Sequence, residues 1–248
     1  MVEGKVHGLK QQWFENGNKK MEVYEYNGLY EGKYTGWFEN GSLLFQETYK
    51  NDTLNGPAAY YYHNGRKSKE GHFLNGKEDG FFTFWDSTGI KVREGYYKEG
   101  KKHGHHIYYF PNGQKEQEGY FVNGLGEGKW TKWNEDGTLY GIAILKDNAE
   151  NGPGTFYYPN GKIQSQGNLK DGKKEGKWIQ YYENGKMEAE GELINDLENG
   201  IWKFYHENGK SKTSGLFLNG KKEGLWIEYN QKGKAAGKKN FVDGKEVL

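Results

Sequence analysis

The chain has 248 residues, with 35 basic and 34 acidic side chains and a formal charge of +1. That balance implies no partner held mainly by electrostatics, as a polyanion would be. With no cysteine, disulfides and thiolate metal sites are excluded, and no apolar run reaches the roughly 20 residues of a membrane-spanning helix.

In chain order, the opening MVEGKVHG carries no apolar signal-peptide core, so a cytoplasmic location is expected unless a leader has been removed. Residues 1–7 read as a partial repeat or N-terminal cap, with Gly4 in the frame of Gly172. From Gly8 a glycine recurs every 24 residues, at Gly32, Gly56, Gly80, Gly104, Gly128, Gly152, Gly176, Gly200 and Gly224. Nine residues after each stands another, from Gly17 to Gly233. Residues 8–247 are therefore ten tandem 24-residue units without insertion, expected to form one elongated domain. The first glycine of each unit is numbered position zero.

Position 5 is always a ring, running from Trp13 and Trp37 through Tyr181 and Tyr205 to Tyr229. Position 8 is asparagine in most units, so positions 8 and 9 form the Asn-Gly pair that predicts a two-residue type I′ hairpin loop. A second, looser turn is expected at positions 19 and 20, as in Asn75-Gly76. There Asp52, Asn148 and Asp196 replace glycine, the side chains that best tolerate left-handed backbone. Pro57 and Pro153 fall at strand starts and Pro111 and Pro159 before turns, so none interrupts a ladder.

Each unit thus reads as strand, turn, strand, turn. The predicted fold is all-β, an elongated single-layer antiparallel β-hairpin solenoid. With an 8–9 loop, position 2 faces position 15, setting Trp178 opposite Gly191, Trp202 opposite Gly215 and Phe82 opposite Gly95. Each ring is expected to cover the glycine across from it. The first and last units are the least regular, Glu25 standing where others carry an apolar residue, as suits end caps.

Reactive chemistry is sparse. Gly71-x-x-x-x-Gly76-Lys77 resembles a phosphate loop but lacks the magnesium-holding hydroxyl and opens no helix. His103, His105 and His106 form the histidine cluster. His106 takes the position-2 slot of the tryptophans, and its neighbour His105 points to the opposite face, so they read as ring replacements rather than metal ligands. Glutamates at position 14 (Glu70, Glu94, Glu118, Glu190) recur about 10 Å apart, too far for a glycosidase pair, and are expected on a solvated face with lysines opposite. The six serines lie apart from any recurring His–carboxylate pair, so no nucleophile–base set is expected and no enzyme, metal or cofactor is predicted. Lysines among rings could stack single-stranded nucleic acid, but neutrality removes the attracting field, so nucleic acid is not expected as a partner. Variation marks function instead. Position 6 holds Tyr62, Phe110, Tyr158 and Tyr182 in some units and polar residues in others, and these four are the candidate partner-binding residues.

GKKEGKWIQYYENGKMEAEGEL (172–193) and GKEDGFFTFWDSTGIKVREGYY (76–97) resemble the MORN repeat variant, found in the YwqK-like antitoxin family. The resemblance implies an elongated array of β-hairpins. For function it implies a non-enzymatic protein-binding scaffold, an antitoxin or immunity protein holding a cognate toxin stoichiometrically. Related repeats bind membrane lipid or form dimers, so lipid and a homodimer are implied as further partners. The alternative reading is an envelope or surface repeat protein binding lipid or glycan, or a spacer or dimerisation module of a longer chain.

Overall fold

A computed structural model describes residues 6–247. The expectation for residues 1–5 of the N-terminal cap lies outside the described residues. Among those described there is no helix, and 23 strands follow in chain order, each unit pairing its strands antiparallel. The twenty strands of the repeat reading are present. Two are divided at the residue before position zero, giving Thr53–Leu54 with Gly56–Tyr61 and Lys77–Glu78 with Gly80–Trp85, and Lys245–Val247 is added at the end.

The chain forms two compact units, Met1–Leu125 and Gly126–Leu248. In the second, the strand Lys173–Tyr181 shows how one repeat is built. It pairs backward with Ile163–Lys170 and forward with Met187–Ile194. Trp178 faces Gly191 and Trp202 faces Gly215 as the repeat frame predicts, and Phe82 faces Gly95 in the first unit. The ring, however, covers the other neighbour. A Cβ on Gly167 would run into Trp178, one on Gly191 into Trp202, and one on Gly95 into His106. Each ring leans back over the preceding repeat, so it fastens one repeat to the next rather than closing its own hairpin.

The two turns exchange roles relative to expectation. Positions 19 and 20 form the two-residue loop with positive φ at both residues, as in Asn195 (φ 51) and Asp196 (φ 70), between the paired Ile194 and Leu197. That is the type I′ geometry. At positions 8 and 9 only the glycine is left-handed. Gly185 (φ 88) donates to the Tyr182 carbonyl at 2.8 Å, and Tyr182 donates to the Lys186 carbonyl at 2.8 Å. This is a three-residue loop with a type I turn and a glycine bulge. Asn184 serves by its side chain. Its Oδ1 accepts from the Lys186 N–H at 2.8 Å, and its amide donates to the Glu207 carbonyl of the next repeat at 3.2 Å. Asn160 and Asn208 repeat both bonds. The position-zero glycine turns no corner; Gly176 and Lys177 stand as an extra pair where the register jumps between Gly167 and Asn168.

Strand alternation puts positions 2, 15 and 17 on one face, and that face is the core. In the second unit it gathers Ala143, Leu169, Trp178, Ala189, Leu193, Trp202, Phe217 and Trp226. In the first it gathers Ala58, Phe73, Phe82 and Tyr97. The buried indoles also satisfy their N–H. Trp178, Trp202 and Trp226 donate to the carbonyls of Asn168, Glu192 and Leu216 at 3.0, 2.9 and 3.1 Å. Emptying one such slot to alanine costs about 3–5 kcal/mol in a packed core. In the first repeat this chemistry is replaced. Lys10 takes the tryptophan slot and pairs at 2.8 Å with the buried Glu25, an ion pair standing where later repeats hold a ring against an apolar side chain.

Candidate functional site

The position-6 residues lie at the entrance to the three-residue turns. Tyr62, Phe110, Tyr158 and Tyr182 are each half-buried. The tyrosine hydroxyls point inward along the chain, from Tyr62 to the Trp85 carbonyl (2.8 Å), Tyr158 to the Tyr181 carbonyl (2.7 Å) and Tyr182 to the Tyr205 carbonyl (2.6 Å). The side chains are fixed, with ring surface rather than hydroxyls left to offer.

The histidines separate as the frame implies. His106 is 1% exposed over Gly95 and donates through Nε2 to the Tyr96 carbonyl at 2.7 Å, the bond that tryptophan makes at this slot. Burial pushes its pKa down to about 4, and the charges of Lys102 and Arg93 push the same way. His105 lies on the other face, 3.8 Å from Glu118. No cluster of three metal-capable side chains occurs among the described residues.

The open face carries the polar work. Position-14 carboxylates meet lysines, with Lys91 to Glu94 at 2.6 Å, Lys115 to Glu118 at 2.8 Å and Lys177 to Glu190 at 3.3 Å, and Lys67 bound to Glu70; Lys67, Lys91 and Lys115 reach from three residues earlier on the same strand rather than from opposite. Position-5 rings join them. Tyr205 donates to Glu190 at 2.8 Å; burial and this bond push the phenol up to about 12, and the same bond lowers the Glu190 carboxyl. These groups lock one another into a solvated ladder rather than converge on a reacting atom.

Within the first unit this face sinks into a groove. Two adjoining hollows of about 520 and 590 Å³ share Lys33 and Gln46. Their floor is a row of direct cross-strand partners, Glu22, Thr35, Gln46, Ala59, Glu70 and Thr83. Leu9, Tyr24 and Trp37 border one end, and Pro57 and Phe81 the other. The hollow exists because position 3 is small in three successive repeats, Thr35, Ala59 and Thr83, where Ile107 follows. Sequence reasoning passed over this column. Its signal was three short residues in succession before Ile107; farther on the column alternates, with Thr131 and Thr155 short and Ile179, Lys203 and Ile227 long.

On the same face in the second unit, Ile194, Leu197, Ile201, Leu216, Leu218, Leu225 and Val242 are all exposed. Ile194 pairs with Leu197 and Ile201 with Leu216 across neighbouring strands.

Hairpins joined alternately by three-residue and two-residue turns, with rings such as Trp178, Trp202 and Trp226 laid over the preceding repeat, define a tandem β-hairpin repeat protein. Residues 30–51, 102–123, 150–171, 174–195 and 198–219 match the MORN repeat variant, and all five begin at the same position of the 24-residue frame, just after a two-residue turn. No curated protein matches. Among solved structures, the chain is similar to a Glycosylation Associate Protein (Gap123) complex from Streptococcus agalactiae, at 15% identity over 45% of this chain and 20% of the other, with a TM-score of 0.26. It is also similar to a TcdB2-TccC3-Cdc42 structure, at 10% identity over 93% of this chain and 15% of the other, TM-score 0.23. A Photorhabdus luminescens Tc holotoxin pore shows 11% identity over 92% of this chain and 13% of the other, TM-score 0.22. The chain spans a fifth or less of the length of each of these structures.

Proposed function

We propose that the protein is a non-enzymatic scaffold that binds another protein stoichiometrically, and that it serves as an antitoxin or immunity protein for a cognate toxin. The observation that carries the reading is the exposed aliphatic surface of the second unit, built around Ile194, Leu197, Ile201, Leu216 and Leu218. Contiguous apolar surface rimmed by polar groups is what protein partners cover. Tyr158 and Tyr182 add aromatic contacts in that unit, and Tyr62 and Phe110 offer the same kind of ring in the first. Because the tyrosine hydroxyls are already tied to backbone carbonyls, these rings would lose little freedom on binding.

The test is affinity capture of the full chain from native lysate with mass spectrometry, beside an Ile201→Glu/Leu218→Glu variant. A stoichiometric protein recovered with the wild type and lost with the variant is the expected result. Equal recovery by both, or no stoichiometric protein at all, refutes the reading, and a recovered partner without toxic activity when expressed alone refutes the antitoxin assignment.

A further inference from the structure

The groove of the first unit asks for a different kind of ligand. Its floor residues Thr35 and Thr83 are 6% and 7% exposed, yet neither hydroxyl has a hydrogen-bond partner within the described residues, and the Gln46 amide between them has none either. At the same frame positions in other repeats, the glutamines Gln11 and Gln166 are engaged, donating to Glu22 and Tyr181. Covering unspent groups with an apolar occupant would cost about 1–3 kcal/mol for each one left unpaired.

Charge narrows the choice further. Glu22 already accepts from Lys19 (2.6 Å) and Gln11 (2.5 Å), Glu70 is bound by Lys67, and Glu31 accepts from the Asn51 N–H at 2.9 Å. Lys33 is the basic side chain lining the groove, with Glu31 beside it in the same hollow. An anionic ligand would meet Glu22, Glu31, Glu47 and Glu70 against the one Lys33, and a cationic one would compete with the lysines already on Glu22 and Glu70. An uncharged molecule carrying many hydroxyls fits, since each hydroxyl can both donate and accept. Trp37, Tyr24 and Phe81 at the borders are rings of the kind that stack on the C–H side of a sugar, Trp37 with the Lys19 ammonium 5.4 Å from its ring centre.

Spacing separates a saccharide from a peptide. The floor row advances one strand per residue, about 4.8 Å, whereas an extended peptide advances about 3.3 Å per residue and falls out of step within two residues. A linear saccharide advances by close to one strand spacing per ring. From Thr35 to Thr83 the row crosses four strand spacings, about 19 Å.

We propose that this groove is a binding site for an uncharged linear glycan laid across the strands, with Thr35, Gln46 and Thr83 as its hydrogen-bonding floor and Trp37 and Phe81 as stacking surfaces.

The experiment is calorimetric titration of the full chain with cellohexaose, maltohexaose and chitohexaose, each in turn. At least one binds, and Thr35→Val, Gln46→Leu and Thr83→Val, which keep side-chain volume, each weaken it by about tenfold. Circular dichroism and thermal melting confirm that the variants fold. Absence of heat for all three sugars up to millimolar concentration overturns the proposal, as does binding that the triple variant leaves intact. Tetralysine binding in the groove while no sugar does also overturns it and makes the site a peptide groove.

Discussion

His106 makes the core sensitive to acid in a way that its tryptophan counterparts do not. The folded chain holds its imidazole near pKa 4 against 6.5 unperturbed, first because it is buried and then because Lys102 and Arg93 lie close. Above pH 6.5 both folded and unfolded chains carry the ring neutral, and stability from this residue is complete. As pH falls from 6.5 towards 4, the unfolded chain takes a proton that the folded chain refuses, so stability declines. At 1.36 kcal/mol per pKa unit the loss approaches about 3 kcal/mol near pH 4, and below that this ring adds no more. His106→Phe removes the titration while keeping a ring, as Phe82 does in the preceding repeat. Its cost is a constant of about 1 kcal/mol for the Tyr96 carbonyl left without its donor. Urea unfolding followed by tryptophan fluorescence at pH 7.5, 6.5, 5.5 and 4.5 gives the comparison. The wild type should lose ground to the variant steadily below pH 6.5, the difference cancelling the acid response of other groups. Parallel profiles would mean that the folded state accepts the proton near pH 6.5, and that the ring is not sealed from water.

Further expectations concern the glycine column and the turns. Gly191→Ala places a methyl against the Trp202 ring and should destabilise by about 1–3 kcal/mol in thermal or urea melts; the added Trp202→Phe substitution should not restore it, because the six-membered ring still occupies the space. Asn184→Ala removes bonds to the Lys186 N–H and the Glu207 carbonyl and should cost about 1–2 kcal/mol by the same melts. Asn195→Gly, at φ 51, should be near neutral while Asn195→Val costs about 1–2 kcal/mol, and equal effects of the two would refute the assignment of the type I′ turn. Lowering pH through the depressed titration of Glu94, whose burial is outweighed by its bonds from Lys91 and Tyr109, should remove a contribution that is present above the ordinary glutamate range; in Glu94→Gln that part of the acid response should vanish.

The repeat frame, the antiparallel pairing and the facing of position 2 with position 15 were legible because they depend on spacing alone. Turn type was not, because Asn-Gly serves two geometries. At position 8 asparagine works through its side-chain oxygen and amide, and at position 19 through tolerance of left-handed backbone. The substitutions held the distinction. Position 20 admits Asp52, Asn148 and Asp196 at φ 61–71, whereas position 9 stays glycine at φ 74–92, beyond the well that asparagine tolerates. Which glycine each ring covers was hidden for another reason, since a residue in a sheet has two cross-strand neighbours and pairing rules do not say which way a ring tilts. The groove was hidden because it arises from what three neighbouring residues lack.

These features share one cause, the separation of the two faces of the sheet. Core-face columns are coupled. A tryptophan laid back over the preceding strand requires the absence of a Cβ there, as Trp178 over Gly167 and Trp202 over Gly191 show, so a change at such a site obliges a change in the adjoining repeat. Open-face columns have no such partner. Position 3 passes from threonine to alanine to threonine to isoleucine between Thr35 and Ile107 while the cross-strand register beneath it is unchanged. Surface chemistry can therefore vary repeat by repeat at little cost to folding, and the polar groove of the first unit and the aliphatic surface of the second rest on the same backbone plan. Specificity in such a protein resides in which columns are short, charged or apolar, while the glycines and rings only hold those columns at strand spacing.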